Sequence, residues 1–261
     1  MTDKQISFDG VRIAYPGKDK PFVAVDDFTA DIAPGEFVTI VGASGCGKSS
    51  VLLAADGLLA TAGGAIRISG TPVRRPGPDR AMVFQDASLL PWRSVLSNVA
   101  FGLELQGVGK AERLARAQRY VELVGLDGRE QSRPHELSGG MRQRVGIARA
   151  LAMDPAVLLM DEPFGALDAQ TRELMAGELL RIWDTDRKTV LFVTHGIDEA
   201  IFLADPVLVM SGNPSRVTEV IDVDLPRPRD EAVRAGADFT HYRAHLAKLL
   251  FAGTPATVAA S

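Results

Sequence analysis

Apolar and polar residues alternate near the N-terminus. Over Ile6–Tyr15 the apolar residues fall at nearly every second position, and Gly10 stands where a bulge would reset the alternation. This pattern is typical of a strand with one buried and one solvent-exposed face. A shorter alternating piece, residues 65–68, lies between Gly63 and Gly70. Together the two pieces predict a small antiparallel sheet at one edge of the molecule.

Three other runs are almost wholly apolar and are bounded by turn residues: Phe37–Val41, Ala156–Met160 and Val190–Val193. Strands buried on both faces have this composition, which is typical of a mostly parallel sheet covered by helices. Helical patterns follow the runs, and Asp168 is a good N-cap for one of these helices. The fold class predicted is therefore α/β.

The segment between the first two buried runs is mainly helical in pattern. Residues 110–124 form an amphipathic repeat that ends at Gly125, a residue that commonly terminates helices. We therefore predict one domain over residues 1–250, with an inserted helical subdomain at about 86–150 and a C-terminal strand and helix at about 212–251. Residues 252–261 are predicted to be a disordered tail.

Composition narrows the possible functions. The 261 residues include 33 acidic and 29 basic ones, a net charge of −4, which argues against a generic nucleic-acid binder. A single cysteine excludes a disulfide framework and fits a reducing compartment. The apolar runs are too short to span a bilayer, and the first ten residues lack the apolar core of a signal peptide. These features predict a cytosolic globular protein.

Residues 42–49 match the phosphate-loop pattern G-x-x-x-x-G-K-[ST], directly after a buried strand and before a helix. Glycines allow consecutive backbone N–H groups to turn inward around a phosphate. Lys48 would reach the β- and γ-phosphates, and Ser49 would ligate Mg²⁺. The alternative is an ordinary glycine-rich turn, which the position between strand and helix disfavours. The predicted phosphate-binding residues are Gly42, Ala43, Ser44, Gly45, Cys46, Gly47, Lys48, Ser49 and Ser50.

Two acids, Asp161 and Glu162, follow the second buried run. A core strand tolerates carboxylates only at its tip, where a cation or water compensates the charge. We predict that Asp161 helps to hold Mg²⁺ and that Glu162 polarises the attacking water as general base. The alternative is a strand that ends in an acidic turn without catalytic function.

Residues 137–143, with the sequence LSGGMRQ, resemble the signature motif of ABC ATPases. In that family the segment faces the γ-phosphate bound by the other subunit, so the resemblance implies a head-to-tail dimer with two ATP molecules between the subunits. Ser138, Gly139 and Gly140 would then contact nucleotide through free N–H groups at a helix start. Without the resemblance, the same residues would be a plain N-cap.

Other motifs stand in the order of the ABC family, and the resemblance covers about residues 5–220. It implies that Tyr15 stacks on adenine, that Gln85 contacts Mg²⁺ and water, and that His195 contacts the γ-phosphate. Residues 166–168 resemble the D-loop, which places Asp168 at the nucleotide site. The fold implied is a RecA-like P-loop core with an N-terminal antiparallel β subdomain and an inserted α-helical subdomain. Two positions depart from the common pattern, Met141 and Gly196, and neither removes a phosphate-contacting group.

The kind of ABC protein is indicated by three stretches: residues 77–80, residues 85–92 and residues 224–228. They resemble the nitrate/sulfonate/taurine/bicarbonate group of importer ATPases. The resemblance implies a chain that acts peripherally at the cytoplasmic face of the inner membrane, with permease subunits as direct partners and a substrate-binding protein as an indirect one. Taurine or another sulfonate is the first substrate expected, and nitrate, bicarbonate and a thiamine-precursor pyrimidine remain open. The predicted permease contacts are Leu89, Leu90, Pro91 and Trp92.

Two other functions fit the sequence less well. A non-transport ABC ATPase acting on nucleic acid or ribosomes would usually have paired domains or a long coiled coil, and this acidic chain has neither. An inactive subunit is disfavoured because Lys48, Glu162 and His195 are all present. His241 and His245 have a spacing compatible with metal binding, but no third ligand follows, so metal binding is not expected there.

Overall fold

The computed structural model describes residues 4–165 and 167–252 and confirms the α/β class. The chain forms two compact units. One contains the residues up to Arg75 and those from Leu191 onward, and the other contains Pro76–Val190. The tail predicted over 252–261 lies outside the described residues, apart from the backbone of residue 252.

The helices and strands are numbered in chain order. The strands are β1 (Ile6–Tyr15), β2 (Phe22–Ile32), β3 (Phe37–Gly42), β4 (Gly63–Ile68), β5 (Thr71–Pro72), β6 (Arg80–Val83), β7 (Val157–Asp161), β8 (Thr189–Val193), β9 (Pro206–Gly212) and β10 (Ser215–Asp222). The helices are α1 (Lys48–Asp56), α2 (Val95–Val99), α3 (Phe101–Leu105), α4 (Lys110–Leu123), α5 (Gly139–Ala152), α6 (Ala169–Thr185), α7 (Ile197–Leu203), α8 (Glu231–Arg234) and α9 (Ala237–Ala252), with a 3₁₀ turn over Pro134–Glu136.

In the first unit the strands lie in the order β5-β4-β1-β2-β10-β9-β3. Strand β1 pairs antiparallel with β2 and β4, and in both pairings the register shifts across Gly10, which confirms the predicted bulge. Strand β3 runs parallel to β9 and is buried along its whole length. The alternation of apolar and polar residues does not predict β2, because Asp26 and Asp27 interrupt it. In the structure Asp27 has a positive φ of 59°.

The C-terminal part of the first unit caps helix α7. Arg229, only 7% exposed, donates hydrogen bonds to the carbonyls of Ile201, Phe202 and Ala204 at distances of 3.0, 3.0 and 2.6 Å. Ile201 and Phe202 lie in the last turn of α7 and Ala204 is its C-cap, where carbonyls lack partners within the helix. A buried guanidinium therefore satisfies the end of α7, and the C-terminal segment is part of the core of this unit.

In the second unit β6 and β7 are parallel, with Ala81 opposite Leu158. The chain between them contains only helices and turns in the described residues, in agreement with the helical pattern of the sequence. Helix α4 ends at Leu123, and Gly125 follows with a φ of 65°. Helix α5 starts at Gly139, directly after its N-cap Ser138.

No helix in the described part of the chain has the length and apolar character needed to cross a membrane.

Candidate nucleotide site

The phosphate-loop residues connect β3 to α1 in the first unit. Gly47 has a φ of 93°, a conformation that favours glycine, and a Cβ at this position would lie 2.6 Å from Cγ2 of Val25. Both the backbone conformation and the close approach of β2 therefore require glycine here. Helix α1 begins at the next residue, so its unpaired N–H groups and positive dipole end adjoin the loop.

Lys48 is 5% exposed and lies against the loop. Its ammonium group donates hydrogen bonds to the carbonyl oxygens of Gly42, at 2.9 Å, and Ala43, at 3.0 Å. Ser49, one residue further along α1, is exposed. The ammonium group of Lys48, which is predicted to bind the phosphates, is therefore held inside the loop by the loop's own carbonyl groups.

Ser215 is a loop contact that the sequence motifs do not reveal. It is fully buried in β10, and its hydroxyl lies within hydrogen-bond distance of the carbonyls of Ala24, at 3.1 Å, and Cys46. Cys46 and Ser215 are 169 residues apart in the chain, so no local pattern could have shown the contact. The phosphate loop is thus fixed to the sheet from β2 and from β10.

Tyr15, predicted to stack on adenine, ends β1 with its ring half-buried. Its hydroxyl lies 2.8 Å from Oγ of Ser50 in α1. The structure therefore brings Tyr15 together with the last residue of the predicted phosphate-binding set, and the ring lies beside the helix that follows the loop.

His195, predicted to contact the γ-phosphate, is exposed and lies between β8 and α7. The neighbouring Thr194 is buried. Its hydroxyl accepts a hydrogen bond from the backbone N–H of Gly196 at 2.9 Å and bonds to the carboxyl group of Glu199. The backbone around His195 is thereby tied to the first turn of α7.

In the second unit Asp161 is the last residue of β7, and Glu162 follows with a positive φ of 43°. A non-glycine residue in this region is uncommon and costs roughly 1–3 kcal/mol, and such residues cluster at functional sites. Both carboxyl groups are half-buried, and the carbonyl of Glu162 accepts a hydrogen bond from the N–H of Gly165 at 2.9 Å. The strand therefore ends as predicted, with its two acids at the tip.

Gln85 lies two residues after β6 and is exposed. Its side-chain amide nitrogen is close enough to Gly165 that a Cβ there would lie only 3.0 Å away. The second unit thus brings Gln85 next to the turn that follows Asp161 and Glu162. Both predicted Mg²⁺ ligands of this unit lie near this turn.

The signature residues open α5. Ser138 is the N-cap, and its hydroxyl accepts a hydrogen bond from the N–H of Met141 at 3.3 Å. Gly139 is exposed and Gly140 is half-buried. A Cβ at Gly140 would lie 3.3 Å from Cγ2 of Thr171, so Gly140 lies beside the start of α6.

Asp168 caps that helix. Its carboxylate accepts hydrogen bonds from the N–H of Thr171 at 3.0 Å and from the Thr171 hydroxyl at 2.8 Å. These bonds lower the pKa of the Asp168 carboxyl below its ordinary value. Ala166, the first residue of the predicted D-loop motif, lies outside the described residues.

The surface predicted to contact the permease is held in shape by Asn98. Trp92 is 69% exposed, Pro91 is exposed, and Leu89 and Leu90 are half-buried. Asn98 is fully buried; its side chain accepts from the N–H of Leu90 at 2.8 Å and donates to the carbonyls of Leu90, at 3.2 Å, and Arg93, at 3.1 Å. The indole of Trp92 therefore projects from an ordered turn.

The two C-terminal histidines do not converge on a metal site. His245 lies 2.6 Å from the carboxylate of Glu219, whereas the His241 ring contacts the Tyr242 ring edge to face. Within residues 4–165 and 167–252, no group of three or more potential ligands is positioned to bind a metal ion.

The strand, the glycine loop and the helix that begins at Lys48 define a P-loop nucleotide-binding protein of the α/β class. Comparison with known proteins narrows the class. The family model described as "ABC transporter" matches residues 25–165. A taurine import ATP-binding protein of Rhizobium johnstonii is 50% identical over 87% of this chain and 88% of the relative. A taurine import ATP-binding protein of Pseudomonas putida is 45% identical over 94% of this chain and 95% of the relative.

A solved structure also has a fold similar to that of this chain. A dimeric ATP-binding cassette in a post-hydrolysis state, bound to ADP and phosphate, is 30% identical, with a TM-score of 0.75 over 84% of this chain and 98% of the other. The chain belongs to the ABC transporter family, as an ATP-binding subunit that hydrolyses ATP.

The position of Cys46 makes nucleotide binding sensitive to thiol chemistry. Burial raises the pKa of the Cys46 thiol above its ordinary value, so less thiolate is present at pH 7.5 than for an exposed cysteine. We expect a maleimide to react slowly at pH 7.5 and about tenfold faster for each unit of rising pH below the raised pKa. Complete labelling should abolish ATP binding, because the adduct fills the phosphate loop. Labelling kinetics by mass spectrometry and binding of a fluorescent ATP analogue check both points.

The matched control is Val220→Cys in a Cys46→Ser background, since Val220 is 53% exposed and outside the loop. This variant should react quickly and keep its nucleotide affinity after labelling. Full affinity of the wild-type chain after complete modification of Cys46 would contradict the predicted role of the loop.

Proposed function

We propose that this chain is the ATPase subunit of an importer for taurine or a related small sulfonate. The observation that carries the proposal is the phosphate loop with Lys48 held in it, in a chain 45–50% identical to proteins named for taurine import. ATP binding closes a dimer, hydrolysis reopens it, and the cycle drives uptake through membrane subunits. The chain would act peripherally at the cytoplasmic face of the membrane. No observation favours a nucleic-acid or ribosomal role.

In this proposal the residues of the phosphate loop bind the phosphates, with Lys48 as the cation for the β- and γ-phosphates. Glu162 orients and deprotonates the attacking water, and His195 contacts the γ-phosphate. Mg²⁺ suits the oxygen donors Ser49, Gln85 and Asp161, and when bound it would neutralise charge that develops on the phosphates. Tyr15 would face the adenine ring, and Asp168 would adjoin the nucleotide.

The proposed dimer is head to tail, with Ser138, Gly139 and Gly140 of one copy facing the ATP of the other. Support comes from the exposed signature at the start of α5 and from the dimeric state of a related cassette. A helix start offers unpaired N–H groups for a phosphate only where nothing covers it, and Ser138 and Gly139 are both exposed.

The proposed contact with the permease is the turn Leu89–Trp92. An exposed indole on an ordered turn is a common anchor of protein interfaces, because it buries a large area at a small entropy cost. The buried side chain of Asn98 holds this turn before any partner binds, so binding would not require the turn to be ordered first.

Two substitutions separate binding from hydrolysis. Glu162→Gln should retain ATP binding and lower the turnover number by about 100-fold or more, because the general base is lost. It should also accumulate as an ATP-dependent dimer in size-exclusion chromatography. Lys48→Ala should instead weaken ATP binding by about tenfold or more and form no such dimer. Normal hydrolysis by Glu162→Gln would remove this residue from its proposed role.

The substrate is tested in proteoliposomes that contain the complete transporter. Taurine with its binding protein should stimulate ATP hydrolysis by about threefold or more, whereas nitrate and bicarbonate should leave the rate at its basal level. Stimulation by nitrate alone, with no response to taurine or to other sulfonates, would contradict the proposed substrate class. The Glu162→Gln transporter is the control for ATPase contamination.

The permease contact is tested by co-purification of the chain with its membrane subunits. Trp92→Ala should weaken the complex by about tenfold, since a central aromatic anchor of an interface typically contributes 1–2 kcal/mol or more. Val220→Ala removes a side chain that is also exposed but that belongs to β10 and not to the turn Leu89–Trp92, and it should leave the yield of complex unchanged. Equal yields from the two variants would exclude Trp92 as an anchor.

A further inference from the structure

Three residues on one face of α5 contact the segment Phe84–Ser88, which contains Gln85. Residues 143, 146 and 149 are separated by three positions each, so they follow one face of the helix. Helix α5 is also the helix whose first residues are the signature motif. The contacts therefore join two parts of the proposed nucleotide machinery within a single unit of the fold.

The first contact is made by Gln143, which is 4% exposed. Its side-chain amide donates a hydrogen bond to the carbonyl of Phe84 at 3.2 Å. Phe84 directly precedes Gln85 in the chain. Because β6 ends at Val83, this carbonyl receives the bond just where the regular strand stops.

The second contact is made by Arg149, whose guanidinium donates to the carbonyl of Ala87 at 2.7 Å and to that of Ser88 at 3.0 Å. Burial lowers the pKa of this guanidinium, which nevertheless stays protonated at neutral pH. Ser88 has a positive φ of 45°, and its N–H donates to the carboxylate of Asp86 at 3.1 Å. The segment is thus held in one specific conformation after Gln85 as well as before it.

The third contact is a close approach of backbone. A Cβ on Gly146 would lie 3.3 Å from the Cβ of Ala87, which is itself 5% exposed. A contact this short would push the segment away by a few tenths of an ångström. Glycine at position 146 therefore sets the distance between α5 and the segment, and the two donors on either side fix its orientation.

Gln85 has no comparable attachment of its own. Its side chain is exposed, and it forms no hydrogen bond with any residue in the described ranges. Its location is consequently set by the backbone on either side, which α5 holds. A change in the position of α5 would carry Gln85 with it.

We propose that Gln143, Gly146 and Arg149 are positioning residues that make Gln85 and the signature motif move as one rigid part. The inference rests on the proposed function, in which Gln85 contacts the nucleotide of its own subunit and the signature contacts that of the other. Helix α5 then connects the two ATP molecules of the dimer. These residues act on hydrolysis through Gln85 and do not touch the nucleotide.

The test is a double-mutant cycle in the full chain. Arg149→Met removes both donors, and we expect a turnover number about tenfold lower with a KM for ATP within about twofold of wild type. Arg149→Lys keeps a donor and should recover activity to within about threefold of wild type. Gln85→Ala combined with Arg149→Met should be no slower than Gln85→Ala alone, because both changes remove the same contribution.

The matched control is Arg144→Met. Arg144 lies on the same helix and also donates to a carbonyl, that of Val124, but it does not contact Phe84–Ser88. It should keep the wild-type turnover number. Gln143→Met, a change of similar volume, repeats the test should Arg149→Met not fold. Losses that multiply in the double variant, or an equal loss in Arg144→Met, would overturn the proposal.

A second measurement separates this inference from the role of Gln85 itself. Hydrogen exchange in a peptide covering residues 84–88 should become about tenfold faster in Arg149→Met and stay unchanged in Arg144→Met. Unchanged exchange in Arg149→Met would refute the positioning role. Faster exchange together with a normal turnover number would uphold the attachment to α5 and refute the proposed part of Gln85 in hydrolysis.

Discussion

Charge cannot be placed inside the buried strands, and this constraint determines where the chemistry of the chain lies. Every residue of β3 and β8 is buried, as are the first four residues of β7. An unpaired carboxylate or ammonium in such a strand would be desolvated at a cost of several kcal/mol. The ionisable groups therefore appear only where a strand ends: Lys48 after β3, Asp161 and Glu162 at the tip of β7, and His195 after β8.

The same constraint explains why so much of the site was predictable. A fully apolar run followed at once by GASGCGKS or by DE is a local signal, and it needs only the few residues around it to be recognised. The bulge at Gly10 and the end of α4 near Gly125 are local in the same sense, since each depends on one residue that tolerates a positive φ. The resemblance implies a permease contact at Trp92, and this residue is exposed.

The parts that could not be predicted depend on contacts between residues far apart in the chain. Ser215 reaches the phosphate loop from β10, and Arg229 caps α7 from the segment between β10 and α8. Gln143 and Arg149 stand in the helix that begins with the signature, and their bonds to Phe84 and Ala87 span about sixty residues. A serine, a glutamine or an arginine carries no pattern that identifies its partner.

These long-range contacts share one chemical form. Ser215, Gln143, Arg149 and Arg229 each bring a side-chain donor to a backbone carbonyl in a loop or in the last turn of a helix. A loop that carries chemistry must leave the regular ladder of hydrogen bonds, and its buried carbonyls then need partners from elsewhere. A donor that supplies this bond also decides where the loop lies. In this chain the element that supplies the donor for the Gln85 segment is the helix that begins with the signature, so satisfying these carbonyls also links the two motifs mechanically.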